Sequence, residues 1–194
     1  GDLTGSTYIF SPDSRQILLT TSKGIFLIDS TSFTSQPNLV NVSGRTATIL
    51  KDWGLQKQAI TKAQIQNLPY DIMDILSRKT SKIVFSPDEY MILYTASGSA
   101  TIGKNLIPQL PGASTQKEER SIEEGHTYVY DIKEDRNFLV FDKEVAFDNN
   151  DNKDSLPAIR WLTTSRHLLL AQDGKVVVMD YDGTNGKDVY KGAY

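Results

Sequence analysis

A four-residue phrase, an aromatic followed by Ser-Pro-Asp, stands at Phe10-Ser11-Pro12-Asp13 and again at Phe85-Ser86-Pro87-Asp88, with a degenerate echo at Trp161-Leu162-Thr163-Thr164. Each copy is preceded and followed by a run rich in β-branched and aromatic residues. Proline presets φ and aspartate accepts bonds from nearby backbone donors, so the phrase reads as a turn between two strands. The spacing that follows is the strongest constraint on the fold. From Phe10 to Ile28, just before Asp29, is 18 positions, and from Trp161 to Met179, just before Asp180, is again 18. Equal spacing with different residues marks a structural repeat.

Read in order, the first unit gives Thr7-Tyr-Ile-Phe10, then Gln16-Ile-Leu-Leu-Thr-Thr21, then Ile25-Phe-Leu-Ile-Asp29 after a Lys23-Gly24 turn, and the alternation in Asn38-Leu-Val-Asn-Val42 predicts a fourth, outer strand. The third unit repeats the pattern in Ala158–Trp161, His167–Ala171 and Lys175–Asp180. There Asp173-Gly174 and Asp182-Gly183 supply the positive-φ positions that tight hairpins need.

The middle unit breaks the spacing. Phe85 to Tyr130 is 45 positions, 27 more than in its neighbours, and the excess falls in residues 97–125, a stretch with Pro108, Pro111 and the polar tail Ser114-Thr-Gln-Lys-Glu-Glu-Arg120. This predicts a long ordered loop between the second and third strands; loops of such length are commonly functional. A second excess, of 26 residues, lies between Asp29 and Phe85 when compared with Asp131 to Trp161. Helical spacing of Leu55, Ala59, Ile60 and Ala63, and of Ile72, Ile75 and Leu76, predicts two helices over about 56–66 and 69–78 within an insertion 46–78. Pro69 suits the first turn of the second helix.

The resulting expectation is an all-β chain, a partial β-propeller of three four-stranded antiparallel blades at about 7–44, 81–143 and 157–192, forming a single fragment over 1–194 with a two-helix insertion. A sandwich or a mixed α+β domain with two decorating helices is the alternative. Three blades leave sheet faces open, so either further blades belong to a longer protein or two copies complete a ring as a homodimer. The chain begins at Gly1 directly ahead of a strand, which suggests a piece of a longer protein whose anchor or signal lies outside it.

Around the phrase and its closing apolar-Asp step, the sequence resembles TolB-type and WD-like propeller repeats of bacterial envelope proteins. Ile83-Val-Phe-Ser-Pro-Asp-Glu89, Met91–Ser97, Asn105–Pro111, Ser114–Arg120, Tyr128–Asp135 and Met179–Asn185 together are similar to the propeller region of PEGA-domain proteins from candidate-phylum bacteria. That resemblance implies an extracytoplasmic protein of the cell envelope, with a membrane anchor and a PEGA module elsewhere. It carries no catalytic residues over.

Composition excludes little but does exclude some chemistry. Without cysteine there is no disulfide, thiolate nucleophile or thiolate metal site, and a net charge of −3 with no basic block gives no electrostatic footprint for nucleic acid. No apolar run reaches the roughly 20 residues that span a bilayer. His126 and His167 lack zinc spacing, and no Gly-x-Ser-x-Gly elbow occurs. Gly98 to Gly103 lacks the strand, glycine-rich turn and helix of a phosphate loop. The acidic stretch 148–154 offers oxygen ligands but lacks the glycine and closing glutamate of a calcium loop, and reads as a solvated connection; Asp180, Asp182 and Asn185 read as a hairpin turn.

The functional expectation is a non-enzymatic binding or scaffolding module without cofactor. It contacts a protein or envelope component through the long loop, with Asn105, Pro108, Pro111, Gln116 and Arg120 as the candidate interaction residues, and through the helical insertion 46–78. The alternative is a propeller accessory to, or itself forming, a hydrolase that acts on peptides or glycans.

Overall fold

The structure is a computed structural model, and it describes residues 4–32, 39–108, 116–147 and 157–192. Two compact units divide the chain, Gly1–Lys62 and Ala63–Tyr194.

The first unit is built on β1 (Thr7–Phe10), β2 (Gln16–Thr21) and β3 (Gly24–Asp29), paired antiparallel in that order with Phe10 opposite Ile17 and Ile17 opposite Ile28. Successive side chains alternate between faces. One face, carrying Ile9, Leu18, Ile25 and Leu27, packs on Val42, Ile49 and Trp53. Among the described residues no fourth strand forms at 39–42; only Asn41 bridges to Phe26. The Asn41 carboxamide accepts bonds from both the amide (2.9 Å) and the hydroxyl (2.6 Å) of Ser43, a local turn that competes with strand extension. A 3-10 turn, Ser43–Arg45, then leads into α1 (Thr46–Gln66). This helix starts ten residues earlier than its spacing predicts, because Ile49 and Trp53 at i and i+4 gain burial against the sheet.

In the second unit α2 (Tyr70–Arg78) follows Pro69, which sits at the cap rather than inside the first turn. A sheet of order β4 (Thr80–Phe85), β5 (Met91–Ala96), β8 (Thr127–Asp131), β9 (Arg136–Phe141) comes next. The insertion between β5 and β8 is not all loop: β6 (Ala100–Thr101) and β7 (Ser121–Ile122) pair antiparallel at its base. The last sheet has five strands rather than four. β10 (Ala146–Phe147) runs parallel to β11 (Ala158–Trp161), and β12 (His167–Gln172), β13 (Lys175–Asp180) and β14 (Lys187–Lys191) follow antiparallel. No sheet among the described residues closes on itself.

The phrase turns superimpose in their bonding. Ser11, Ser86 and Leu162 each donate the backbone amide to the residue five ahead (2.8, 2.8 and 3.0 Å), and Ser14, Glu89 and Ser165 each adopt positive φ (58°, 63° and 59°). In the first two, the serine hydroxyl bonds the aspartate at 2.6 Å and receives the amide of the next strand. The third reaches the same backbone path without Pro-Asp, with Thr164 Oγ1 2.9 Å from His167 Nδ1 instead.

The second sheet is covered on both faces. The face bearing Phe85, with Ile92, Tyr94, Tyr128 and Tyr130, packs on Ile65, Ile72, Ile75 and Leu76. Its opposite face, with Met91, Leu93, Val129 and Phe138, packs on the Trp161 face of the third sheet, including Ile159, Leu168, Leu170 and Met179. Gly183 (φ 82°) closes this joint: a Cβ there would lie 3.3 Å from the Leu139 carbonyl oxygen and the Val140 Cα, so a side chain would press on β9.

Candidate functional site

The spacing breaks most conspicuously at the insertion 97–125, and the chain places a buried polar network at its root. Arg120 lies on the returning limb just before β7 and is only 7% exposed. Its guanidinium donates to the Gly103 carbonyl on the outgoing limb, to the Asp135 carbonyl and to Asp135 Oδ1 (3.3 Å), and pairs through Nε with Glu118 (3.0 Å). Asp135 is fully buried in the β8–β9 turn with φ 48°. Its two oxygens are divided between partners: Oδ1 accepts the Tyr130 hydroxyl at 2.7 Å, and Oδ2 accepts the Leu106 amide at 2.9 Å. The carboxylate therefore ties the outgoing limb, the returning limb and the sheet to one point.

A second set of bonds fastens the returning limb along β9. Glu119 donates its amide to the Asn137 carbonyl (2.7 Å), Asn137 donates its side-chain amide to the Glu119 carbonyl (2.6 Å), and Tyr94 donates to Asn137 Oδ1 (2.9 Å). Arg136 reaches the Gln116 carbonyl. Burial pushes the hydroxyls of Tyr94, Tyr128 and Tyr130 above the usual tyrosine range, so they remain neutral donors at any physiological pH.

Of the residues expected to meet a partner, Asn105 (φ 57°), Pro108 and Gln116 are exposed, whereas Arg120 is buried and engaged within the chain. Pro111 lies outside the described residues, as do Ser114 and the acidic stretch 148–154. Asn105 is presented directly beside the anchored Leu106 amide. Sequence reading missed Tyr130, Asp135 and Asn137, which form the anchor. Their trace is polar residues in the short Lys133–Asn137 run between two apolar strands, where a plain hairpin needs no buried aspartate.

An open groove of about 590 Å³ runs along β6 and β7, lined by Ser99, Thr101, Ser121, Glu123 and Glu124 among others. A smaller one, about 230 Å³, lies between β4 and β11 beside Phe85, Phe147 and Trp161, where the Trp161 indole donates to the Val84 carbonyl at 3.2 Å. No group of histidine, aspartate or glutamate side chains among the described residues is placed to hold a metal ion. At the last turn, Asn185 donates to Asp180 (2.7 Å) and Thr184 to Asp182 (3.0 and 2.6 Å), so those oxygens serve the hairpin. No helix of the described chain is long and apolar enough to cross a membrane. Compared with known proteins, the chain matches no family model and no curated protein sequence.

Proposed function

We propose that this protein is a non-enzymatic recognition module of propeller-type repeats, presenting the insertion 97–125 from a rigid sheet to a protein or other component of the bacterial cell envelope. The observation that carries this reading is the Arg120–Asp135–Tyr130 network. Burying an ion pair is expensive and seldom raises stability over an apolar core of the same volume. Here the expense goes into fixing both limbs of an insertion whose exposed residues, Asn105, Pro108 and Gln116, stand next to the anchor points. A segment held by a rigid scaffold presents the residues beside its anchor points with little entropy left to lose on binding. The propeller reading is supported by the repeated phrase and its 18-residue spacing, and the envelope setting by the resemblance to TolB-type and PEGA-associated repeats.

The test keeps the anchor intact. A random peptide library is panned against the folded chain, and the ligands recovered are measured on a variant whose residues 107–117 are replaced by a Gly-Ser linker of equal length. Ligands that lose about tenfold or more in affinity, 1.4 kcal/mol, support recognition by the insertion. Ligands that bind both proteins equally would place recognition elsewhere.

A further inference from the structure

The three phrase turns follow one backbone path but use one side chain differently. At the last position of the phrase stand Asp13, Asp88 and Thr164, and the strand that follows opens with Gln16, Met91 and His167. Both aspartates serve the turn itself. Asp13 Oδ1 accepts the Ser11 hydroxyl and the Arg15 amide (2.6 and 3.1 Å), and Asp88 Oδ1 accepts the Ser86 hydroxyl and the Tyr90 amide (2.6 and 3.3 Å). Thr164 instead places Oγ1 2.9 Å from His167 Nδ1. The far side of the same ring, Nε2, lies 3.5 Å from Oδ1 of Asp180, the residue opposite His167 in the β12–β13 register. Asp180 is fixed in turn, since its Oδ2 accepts Asn185 Nδ2 at 2.7 Å and its amide donates to the Thr184 carbonyl at 2.9 Å. The closing aspartates of the other two copies are committed to their own loops: Asp29 Oδ1 takes the Thr31 amide and hydroxyl, and Asp131 Oδ1 the Lys133 and Glu134 amides.

Only the third copy therefore sets a hydroxyl, an imidazole and a carboxylate in line, and that order has a chemical consequence. A carboxylate beside Nε2 favours the tautomer that carries its proton there, which leaves the Nδ1 lone pair facing the Thr164 hydroxyl. A hydroxyl held against an imidazole that a third group orients is the arrangement of an activated nucleophile. Thr164 is exposed, and His167 and Asp180 are 42% and 35% exposed, so a small electrophile reaches Oγ1. We propose that Thr164 is an acyl-acceptor site, with His167 as its general base and Asp180 as the positioning residue, and that it takes an acyl group from an activated acyl donor. Oγ1 attacks the acyl carbonyl carbon while its proton passes to His167 Nδ1. The bond from that carbon to the leaving group then breaks, the leaving group keeps the electron pair, and His167 releases the proton to it or to water. The product is a threonine ester, and no oxidation or reduction occurs. One acyl group per chain makes this a modification site, and it does not depend on what the insertion recognises.

The experiment incubates the intact chain with p-nitrophenyl acetate and locates the acetyl groups by mass spectrometry, with hydroxylamine to separate threonine and serine esters, which it cleaves, from lysine amides, which it leaves. A hydroxylamine-labile acetyl group is expected on Thr164, formed faster than on the neighbouring Thr163. His167→Gln is expected to slow it about a hundredfold, the scale of a lost general base, and Asp180→Asn to slow it less, while Thr164→Ser keeps it. Circular dichroism confirms that each variant is folded. Should Asp180→Asn disturb the hairpin, the pH profile of the wild type decides: a Thr164 rate that rises to a plateau supports an imidazole base, and one that climbs steadily with hydroxide overturns it. A wild-type chain with no ester on Thr164, or with one formed no faster than on Thr163, overturns the proposal. So does a folded His167→Gln chain that is acetylated on Thr164 as fast as the wild type.

Discussion

The first and second sheets share a phrase, a turn geometry and a strand register, yet differ in what covers them. Ile92, Tyr94, Tyr128 and Tyr130 are buried at 0–1% exposure beneath α2, whereas the matching Ile17, Leu19, Phe26 and Ile28 are only partly buried and Phe10 is half in solvent. The repeat therefore specifies strands and turns but not their environment. Burial is decided by the two insertions, one supplying the helical lid and the other the polar network that fixes a loop to the sheet.

The largest effect separating the two regions is expected from Arg120→Ala. Removing the guanidinium leaves a buried Asp135 carboxylate without its ionic partner, at a cost of about 3–5 kcal/mol. The loss is confined to the second unit. The chain has two tryptophans, Trp53 in the first unit and Trp161 in the second, so single-tryptophan versions report the units separately. A matching shift of the Trp53 transition would show the network to be less local than its bonds.

A matched pair sharpens the comparison next. Ile92→Ala opens a cavity under the helical lid and is expected to cost about 2–5 kcal/mol, while Ile17→Ala, at the same repeat position, is expected to cost about 1 kcal/mol because its side chain is already partly solvated. Urea midpoints read through the two tryptophans check this. Near-equal losses would mean that the first sheet is as well covered as the second.

Serines in the phrase are expected to behave alike in both regions. Ser11→Ala and Ser86→Ala each remove a hydroxyl that bonds an aspartate and accepts a strand amide, and each is expected to cost about 1 kcal/mol in chemical denaturation. A difference as large as that between the isoleucines would contradict a shared turn.

The smallest expected effect is on pH dependence. The Ser11 hydroxyl and then the Arg15 amide hold the Asp13 carboxyl below the usual aspartate range, and the Thr31 hydroxyl and amide do the same for Asp29. The stability these carboxylates provide is present above the ordinary value and is lost as pH falls through the lowered ones. In the second sheet burial pushes Asp131 up, reinforced by the charge of Glu134, although the Glu134 and Lys133 amides oppose it. Its contribution has the reverse sign, present at low pH and lost as pH rises through the raised value. Asp88 is lowered like Asp13, with burial outweighed by the Ser86 hydroxyl and the Tyr90 amide. Asp188 on β14 is lowered too, first by its bond to the Lys191 ammonium, but the raised Asp131 offsets part of this in the second unit, so acidification from neutrality is expected to lower the Trp53 transition more than the Trp161 transition.

Strands and turns were legible because period-two patterning and turn residues are local. The third turn shows how far that reaches, since Thr163 and Thr164 reach the same backbone path as Pro-Asp once the spacing is fixed. The start of α1 was not legible: Thr46, Thr48 and Ile49 are β-branched and Gly54 interrupts the pattern, and the helix begins there because Ile49 and Trp53 find a sheet to pack on. The strand expected at 38–42 shrinks in its described part to a single bridge from Asn41 to Phe26, because the Asn41 carboxamide turns the chain at Ser43. Arg120 was singled out from its place in the insertion, but its burial depends on Gly103, Tyr130 and Asp135 meeting in space, which no spacing along the chain announces.

That insertions, and not the repeat, decide burial is tested most directly by hydroxyl-radical footprinting with mass spectrometry on the intact chain. Tyr8 and Phe10 are expected to oxidise as readily as the exposed Tyr70, while Tyr94, Tyr128 and Tyr130, on the equivalent face of the second sheet, stay protected. Protection of Tyr8 and Phe10, or ready labelling of the three buried tyrosines, would contradict it.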